Sequence, residues 1–271
     1  MHARLPKNFV LEERLERYRD VIELCPSIWR GRWAAACAPC GAAPFKEVRC
    51  DLGCGKGAFL VEAARREPDV LFIGIDAEPL CVAYAAQHVS EAGLANAVVV
   101  PGTGATLHSM FAEGELGCIH LNFPTPYPRK KEAQRRLVAP ERLLEYRQVL
   151  APGAELRLRT DSQPLRDFFR DMLQRCGYDI TFDTDDERAA FPEAPSSEYE
   201  ERLCAAGAKV LGVWATPARE PLDIRDFTRI GLVDYLPEDL FKSGYVPHGM
   251  GGTITNLRNR ALRADAQRNA R

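Results

Sequence analysis

A glycine-rich turn with a matching acidic residue constrains this chain more than any other feature. The turn, Asp51–Gly57 (DLGCGKG), ends one short apolar run, and Asp76 ends the next, Leu71–Asp76. Glycines allow the chain to reverse sharply and allow a ligand to approach bare backbone. An acidic residue about twenty positions further on is placed to accept hydrogen bonds from two ribose hydroxyls. The pair predicts a doubly wound α/β sheet with a cofactor at the carboxyl ends of its strands.

The glycine spacing indicates which cofactor is bound. Gly53, Gly55 and Gly57 form G-x-G-x-G, one residue shorter than the dinucleotide pattern G-x-G-x-x-G, and no G-x-x-x-x-G-K-[ST] phosphate loop is present. Asp51, just before the glycines, suits a cationic ligand such as a sulfonium that also carries an ammonium group. The pattern therefore favours S-adenosylmethionine (SAM). A glycine turn without a ligand is the alternative, and the presence of Asp76 disfavours it.

Composition is that of a cytoplasmic enzyme. A hydrophobic content of 46% over 271 residues can bury a substantial core. The net charge of -2 gives no global attraction to a polyanion, so any nucleic-acid affinity must come from local patches. We expect no membrane association, because no apolar stretch reaches the roughly eighteen residues of a membrane span. The sequence leaves a monomer and a homodimer both open.

The cysteines are expected to be reduced thiols. There are nine, an odd and scattered number that does not suggest a disulfide framework. Cys37 and Cys40 have a zinc-like spacing, with Cys25 and Cys50 as conceivable outer ligands. A structural zinc needs four ligands in register. Since no second close Cys or His pair is present, we predict no metal.

Strand-like and helix-like patterns alternate along the chain. This alternation predicts a mainly parallel sheet with helices on both faces, a Rossmann-like α/β fold. Since the glycine turn is of the SAM type, we expect the variant of this fold found in class I SAM-dependent methyltransferases. The predicted strands are Val48–Leu52, Leu71–Asp76, Ala97–Pro101, Cys118–Phe123, Glu155–Thr160 and Val210–Ala215. The predicted helices are Ala58–Arg66, Pro79–Ala92, Pro140–Leu150 and Pro164–Cys176, with a short helix before the fourth strand.

Three regions are predicted from these patterns. Residues 1–45 form an N-terminal arm and helical lead-in, 46–216 the methyltransferase domain, and 217–271 a C-terminal appendage with a basic, frayed tail. Within the appendage, Phe241–Asn256 is expected to wrap against the core rather than to cover the substrate as a lid. His248 is expected to be an ordinary loop histidine.

A second signal follows the fourth strand. In the segment Leu121–Pro128 (LNFPTPYP), three prolines within five residues predict a rigid loop at the carboxyl edge of the sheet. Such a loop can wall a planar base, with Tyr127 as a stacking face. The basic residues that follow are candidates for phosphate contacts: Arg129, Lys130, Lys131, Arg135 and Arg136. A solvated helix start is the alternative, which the neighbouring loop and cofactor edge disfavour.

Together these motifs resemble the bacterial tRNA (guanine-N7-)-methyltransferases, the TrmB family. The resemblance covers about residues 20–216. It rests on motifs in the family's order: a G-x-W lead-in at Gly31–Trp33, Asp51–Gly57, Gly74–Asp76, Leu121–Pro128 with its basic continuation, Thr160-Asp161, and Ser197–Glu200 (SEYE). It implies a SAM-dependent enzyme that forms N7-methylguanine in tRNA, at guanine-46 of the variable loop.

The resemblance also implies roles for individual residues. The SAM site would comprise Asp51, Gly53, Gly55, Gly57, Asp76, Thr103 and Asn122. The substrate site would comprise Arg129, Asp161, Ser197, Glu198, Tyr199 and Glu200. Thr125 and Asp161 stand at the positions that the resemblance implies to be catalytic.

The chain departs from the family pattern in two places. In the loop that the family writes N-F-x-D-P-W-P-K-K-R-H, this chain has Thr125 for the aspartate, Tyr127 for the tryptophan, Arg129 for the first lysine and Glu132 for the histidine. After the third strand, Thr103 stands where the family has an acidic or amide residue that meets the adenine amino group. The first change removes a carboxylate near the substrate.

The expected chemistry tolerates that loss. Guanine N7 carries its own lone pair, so methylation needs no general base and depends mainly on positioning. One lost charge-assisted hydrogen bond costs about 1.5–3 kcal/mol, which slows the reaction without abolishing it. Two alternatives remain. One is a methyltransferase retargeted to another RNA or a small molecule, and the other is a catalytically impaired SAM-binding protein that binds RNA.

Overall fold

The structure, a computed structural model, describes residues 9–35, 44–236, 246 and 249–269. Its strands are β1 (Glu47–Leu52), β2 (Val70–Asp76), β3 (Ala97–Pro101), β4 (Leu116–Asn122), β5 (Leu150–Thr160), β6 (Tyr178–Thr184) and β7 (Leu211–Pro217). They form one sheet in the order β3-β2-β1-β4-β5-β7-β6. The order reverses between β1 and β4, which is where a doubly wound sheet opens its ligand crevice.

The helices alternate with the strands. They are α1 (Leu11–Arg17), α2 (Ala58–Arg66), α3 (Pro79–Glu91), α4 (Leu107–Met110), α5 (Pro140–Val149), α6 (Gln163–Arg175), α7 (Glu187–Ala190), α8 (Glu198–Ala205) and α9 (Gly251–Asn269). Short 3₁₀ helices cover Arg19–Val21, Pro26–Trp29, Gly104–Thr106, Lys130–Arg135, Arg225–Phe227 and Leu232–Tyr235. Among the described residues, no helix is long and apolar enough to cross a bilayer.

The predicted mainly parallel α/β sheet is confirmed. β1 pairs in parallel with both β2 and β4, and β2 pairs in parallel with β3. Every residue of β2 except Asp76 is buried, as expected for a strand covered on both faces. The six predicted strands and five predicted helices are all present, with ends that differ by a few residues. Only β5 is markedly longer, because it begins at Leu150 rather than Glu155.

Two features of the C-terminal half differ from the sequence prediction. β6 was not expected, and β7 runs antiparallel to both β5 and β6. The signal for β6 is present in Tyr178, Ile180 and Phe182, which alternate with polar residues. The tail expected to fray is helical from Gly251 to Asn269, since it is rich in good helix formers such as alanine, leucine, arginine and glutamine.

The expected wrap of the C-terminal segment is partly within the described residues. Met250 and Ile254 are buried, and the Ser162 hydroxyl donates a hydrogen bond to the Met250 sulfur at 3.3 Å. His248 lies outside the described residues.

Clustering of backbone contacts divides the chain into two compact units. The first unit comprises Met1–Asn122, Gln148–Glu155 and Pro195–Glu198. The second unit comprises Phe123–Arg147, Leu156–Ala194 and Tyr199–Arg271.

In the first unit, one carboxylate holds the lead-in segment. Glu115 accepts hydrogen bonds from the backbone N–H groups of Gly31 at 2.7 Å, Trp33 at 3.0 Å and Ala112 at 2.8 Å. The fully buried Trp33 indole donates to the Met110 carbonyl at 2.9 Å. Gly31 has a φ of 77°, a left-handed conformation that favours glycine. These contacts explain why glycine and tryptophan occur two residues apart here.

A buried amide ends the helix that follows the glycine turn. The Asn96 side-chain NH₂ lies 2.9 Å from the Ala64 carbonyl oxygen, 3.0 Å from that of Glu67 and 2.9 Å from that of Val70. The last carbonyls of a helix lack partners within the helix. Asn96 therefore satisfies the end of α2 and fixes it to the start of β3.

We predict that Asn96→Ala lowers the free energy of unfolding by about 1–3 kcal/mol, because buried carbonyls lose their donor. Asn96→Asp should cost more, since a carboxylate oxygen would face the same carbonyl oxygens. Denaturant unfolding measures both, with the exposed Ser90→Ala on α3 as the control, expected within about 0.5 kcal/mol of the natural protein. An Asn96→Ala variant as stable as the control would show that the amide does not carry this role.

Candidate active site

The glycine turn adopts the conformation that its sequence predicts. Gly53, Gly55 and Gly57 have φ values of 78°, 56° and 79°, all left-handed. A Cβ on Gly57 would lie 2.9 Å from the Ala85 backbone on α3, so that position must be glycine for α2 and α3 to pack. A Cβ on Gly55 would meet nothing within 4 Å. Gly55 therefore presents bare backbone to open space, as a ligand-binding turn requires.

Asp76 is fixed in place by the same turn. One carboxylate oxygen accepts a hydrogen bond from the Gly55 N–H and the other from the Glu78 N–H, both at 2.9 Å. Burial raises the pKa of Asp76 above its ordinary value, although these two backbone bonds act in the opposite direction. A carboxylate oxygen can accept a further hydrogen bond. The side chain is thus oriented in advance for two hydroxyl donors.

Asp51 and Asn122 meet where the strand order reverses. Asp51 lies near the end of β1, is 1% exposed, and its Oδ1 accepts a hydrogen bond from the Asn122 amide at 3.0 Å. Asn122 is the last residue of the neighbouring β4. A buried carboxylate is costly unless it is paired or hydrogen-bonded. Asp51 and Asn122, both predicted for the SAM site, are therefore in contact. A cationic ligand group would further stabilise the buried charge of Asp51.

Thr103 lies directly after β3 at a tight turn. The Thr106 hydroxyl donates to the Thr103 carbonyl at 2.8 Å and accepts from the Thr103 N–H at 3.2 Å. Thr103 is exposed. Its predicted contact with the cofactor stays a prediction.

An apolar groove in the first unit was not expected from the sequence. It has a volume of about 700 Å³, within the range of small-molecule sites. One wall is formed by residues after β2 and at the end of β3: Ala77, Pro79, Val82 and Pro101. The N-terminal arm supplies the other wall, in which the apolar Leu15, Ile22 and Leu24 stand beside the charged Glu12, Glu16, Arg19 and Glu23. Isolated apolar residues in that charged arm were the only signal in the sequence.

The arm is held against the edge of the sheet. Ile22 forms a parallel bridge with Val99 on β3, and the Glu23 N–H donates to the Val99 carbonyl at 2.9 Å. The Glu23 carboxylate accepts from the Trp29 indole at 2.8 Å. These contacts fix the backbone of the arm where it forms one wall of the groove.

The loop after β4 is strained and held by a buried arginine. Phe123 and Tyr127 have φ values of 50° and 44°, uncommon for residues other than glycine. Arg136 is 1% exposed, and its guanidinium donates to the carbonyl oxygens of Pro126 and Tyr127 at 2.8–3.1 Å and to that of Ile230 at 2.7 Å. Residues in such conformations persist only when their surroundings hold them. Arg136 provides that support at Tyr127, whereas at Phe123 the backbone N–H donates to the Arg159 carbonyl at 2.7 Å.

The predicted phosphate contact of Arg136 is therefore wrong, because its donors face backbone carbonyls inside the protein. The other basic residues of the run are exposed: Arg129, Lys130, Lys131 and Arg135. Arg135 lies over the Tyr127 ring, 4.4 Å from its centroid. A cation covers one face of Tyr127, so a base would have only the other face. Thr125 is exposed.

Asp161 lies close to Tyr199, which in turn packs against Phe123. It follows β5 and is 8% exposed. Burial, with a smaller contribution from the Asp161 charge, raises the pKa of the Tyr199 hydroxyl. Tyr199 packs edge-to-face against Phe123, with ring centroids 5.3 Å apart, and the Phe123 N–H donates to the Arg159 carbonyl at 2.7 Å. The structure thus gathers Asp161, Tyr199 and the start of the strained loop in the second unit.

Glu200 does not fit the substrate-contacting role predicted for it. It is 1% exposed and forms ion pairs with Arg159, at 2.8 Å, and with Arg188. Arg159 also pairs with the buried Glu187 at 3.4 Å. Losing one partner of a buried ion pair is strongly destabilising. Glu200 therefore has a structural role, in fixing α8 to β5.

The two remaining residues of the motif carry less information. Ser197 is partly buried, and Glu198 begins α8 with a side chain outside the described part of the structure. The cysteines within the described residues form no disulfide, and no group of three or more potential metal ligands occurs there. Cys37 and Cys40 lie outside the described residues.

Comparisons with known proteins agree with this geometry. A family model described as "Putative methyltransferase" matches residues 46–213. The tRNA (guanine-N(7)-)-methyltransferase of Geobacillus kaustophilus (strain HTA426) is 30% identical over 200 residues, which cover 73% of this chain and 90% of that protein. The protein of the same name from Levilactobacillus brevis is 33% identical over 191 residues, covering 70% and 86%.

The crystal structure of the 16S rRNA methyltransferase KamB shares the fold. Its TM-score is 0.50 at 19% identity, and the match covers 64% of this chain and 89% of that one. At this identity the likeness concerns the fold alone. The sequence relatives carry the assignment further: the chain belongs to the tRNA (guanine-N7-)-methyltransferase family.

Proposed function

We propose that this protein transfers a methyl group from SAM to N7 of a guanine in tRNA, with guanine-46 of the variable loop as the expected target. The observation that carries the proposal is the family match over most of the chain. The glycine turn and the oriented Asp76 carboxylate support it, because they have the geometry expected of a SAM site. SAM supplies an electrophilic methyl group when bound. A tRNA substrate fits the predicted cytoplasmic location, and a monomer or a homodimer remains open.

The first unit has the features that a SAM site needs. Asp76 would accept hydrogen bonds from the two ribose hydroxyls, because its oxygens are already oriented by the Gly55 and Glu78 N–H groups. Asp51 would face the cationic part of the ligand. The groove beside Ala77 and Pro101 offers an apolar surface for adenine. In this proposal the groove would hold adenine without the acidic or amide group that the family has at the position of Thr103.

The second unit has the features that guanine recognition needs. The Asp161 carboxylate would accept hydrogen bonds from the N1–H and N2–H₂ groups of guanine, and would offset the positive charge that develops on the methylated ring. Phe123 and Tyr199 supply aromatic surface near that carboxylate. No residue is required to remove a proton, since N7 has none. The protein's task is to hold N7 in line with the methyl–sulfur bond and to exclude water.

We predict that Asp76→Ala weakens SAM binding by about 1.5–3 kcal/mol, the range of a charge-assisted hydrogen bond. Glu78→Gln is the matched control, since the Glu78 backbone N–H contacts Asp76 and survives the change. Calorimetry should find the control close to the natural protein in SAM affinity. Unchanged SAM affinity in a folded Asp76→Ala variant would contradict the assigned ribose contact.

We predict that Asp161→Asn lowers kcat/KM for tRNA ten- to a hundredfold, about 1.4–2.7 kcal/mol, with SAM affinity nearly intact. The amide keeps the shape but replaces a charged acceptor and can present a donor to guanine's own donors. Exposed Asp226→Asn serves as the control. An Asp161→Asn variant with the natural kcat/KM would remove Asp161 from base recognition.

Restoring the family's carboxylate separates the proposal from its alternatives. Thr125→Asp should leave methyl transfer to tRNA equal or raise it, if the natural protein is active. Should activity appear only in Thr125→Asp, the natural chain is an impaired or retargeted relative. Mass spectrometry of the modified nucleotide identifies both the base and its position.

We predict that neutralising Lys130, Lys131 and Arg135 together weakens tRNA binding and flattens its salt dependence, because fewer counterions are released. SAM affinity should not change. As a control, the exposed arginines Arg65, Arg66 and Arg170, each already ion-paired to a carboxylate, are changed to glutamine. An unaltered slope of log affinity against log salt in the triple variant would make the basic run a solvated surface.

A further inference from the structure

A segment beyond the family match runs along the base of the strained loop. The Leu232 N–H donates to the Pro128 carbonyl at 3.0 Å, and the Ile230 carbonyl accepts from Arg136 at 2.7 Å. A Cβ on Gly231 would lie 3.2 Å from the Lys130 side chain and 3.5 Å from the Pro128 carbonyl oxygen. The family match ends at residue 213. This later segment is therefore built into the loop that carries the basic run.

The segment brings a further cation to the basic run. A cavity of about 430 Å³ is lined by Lys130, Lys131, Gln134 and Arg229. Arg229 is exposed, and none of these four lining residues is acidic. Among the described residues, no ion pair is recorded for Lys130, Lys131 or Arg229, whereas Arg225 in the same segment is paired to Asp223. The sequence pattern of the basic run gave no indication of Arg229.

Three cations around one cavity favour a polyanion with several oxygen acceptors. Lysine provides three N–H donors, arginine a fork of donors, and the Gln134 amide two more. Backbone phosphates of RNA are bound by this set of side chains and fix the position of the nucleic acid without reading its sequence. A free phosphate compound has the same chemistry, so the two sources must be separated by experiment.

We propose that Arg229 and Gln134, with Lys130 and Lys131, form a binding site for an RNA backbone phosphate. The RNA-binding surface then extends onto the C-terminal segment outside the family match. This inference rests on the proposed function, because it takes tRNA as the polyanion. Arg229 is a binding residue in this site and has no part in methyl transfer itself.

Binding of tRNA to the full-length protein is measured over a range of salt concentrations. Arg229→Gln should reduce the slope of log affinity against log salt by about 0.7–0.9, the value for one phosphate contact. The same relation predicts affinity about fivefold weaker at roughly 0.15 M salt. Arg229→Lys should retain most of the slope. Arg225→Gln is the matched control and should leave the slope unchanged, since Arg225 is occupied by Asp223.

Two comparisons decide the inference. If Arg229→Gln has the natural slope while Lys130→Gln has a reduced one, the Arg229 site is wrong and the tRNA function stands. If the natural protein neither binds nor methylates tRNA, the proposed function fails and takes the inference with it. At equal ionic strength, inorganic phosphate should displace tRNA no better than chloride does. Selective displacement by phosphate would assign the cavity to a free phosphate compound and overturn the RNA assignment.

Discussion

The hydrogen bond from the Gly55 N–H to the Asp76 carboxylate is the contact on which the cofactor half of the molecule depends. It joins the turn after β1 to the end of β2, and it forms because those two strands pair in parallel with their ends aligned. The turn can reach Asp76 only with its glycines in left-handed conformations. This one hydrogen bond thus fixes both the exposed backbone of the turn and the orientation of the Asp76 carboxylate.

The loop after β4 likewise depends on one charged side chain, here the cationic Arg136 instead of the anionic Asp76. Two residues other than glycine hold left-handed conformations there, at a cost of about 1–3 kcal/mol each. The buried guanidinium of Arg136 offsets this cost with hydrogen bonds to the loop carbonyls. Burial lowers the pKa of Arg136 to about 10, still well above neutral pH, so the guanidinium remains charged and acts as a donor. A residue that reads as part of a surface charge run is thus the support beneath that surface.

The sequence alone predicted the strands and helices of the methyltransferase region because local patterns determine them. The glycine turn and the alternation of apolar runs depend on neighbouring residues only. What could not be predicted depends on contacts between distant positions. Arg136 and Glu200 are charged residues in motif positions, and only burial distinguishes their structural role from a ligand contact. The apolar groove likewise requires the N-terminal arm to meet the ends of β2 and β3.

In the second unit, the buried charged residues form ion pairs, whereas the exposed basic residues are largely unneutralised by the described acidic residues. Inside, Arg159 and Arg188 compensate Glu187 and Glu200, so α7 and α8 are fixed by ion pairs that are closed to a ligand. At the surface, Arg129 lies 4.0 Å from the Glu132 carboxylate, and Lys130, Lys131 and Arg135 form no ion pair with the described acidic residues. The chain has a net charge of -2, but these exposed cations form a local positive patch that can attract RNA. Asp161 differs from both groups, since it directly follows β5 and lies close to Tyr199. That position is the basis for proposing that Asp161 serves base recognition where Thr125 replaces the family's aspartate.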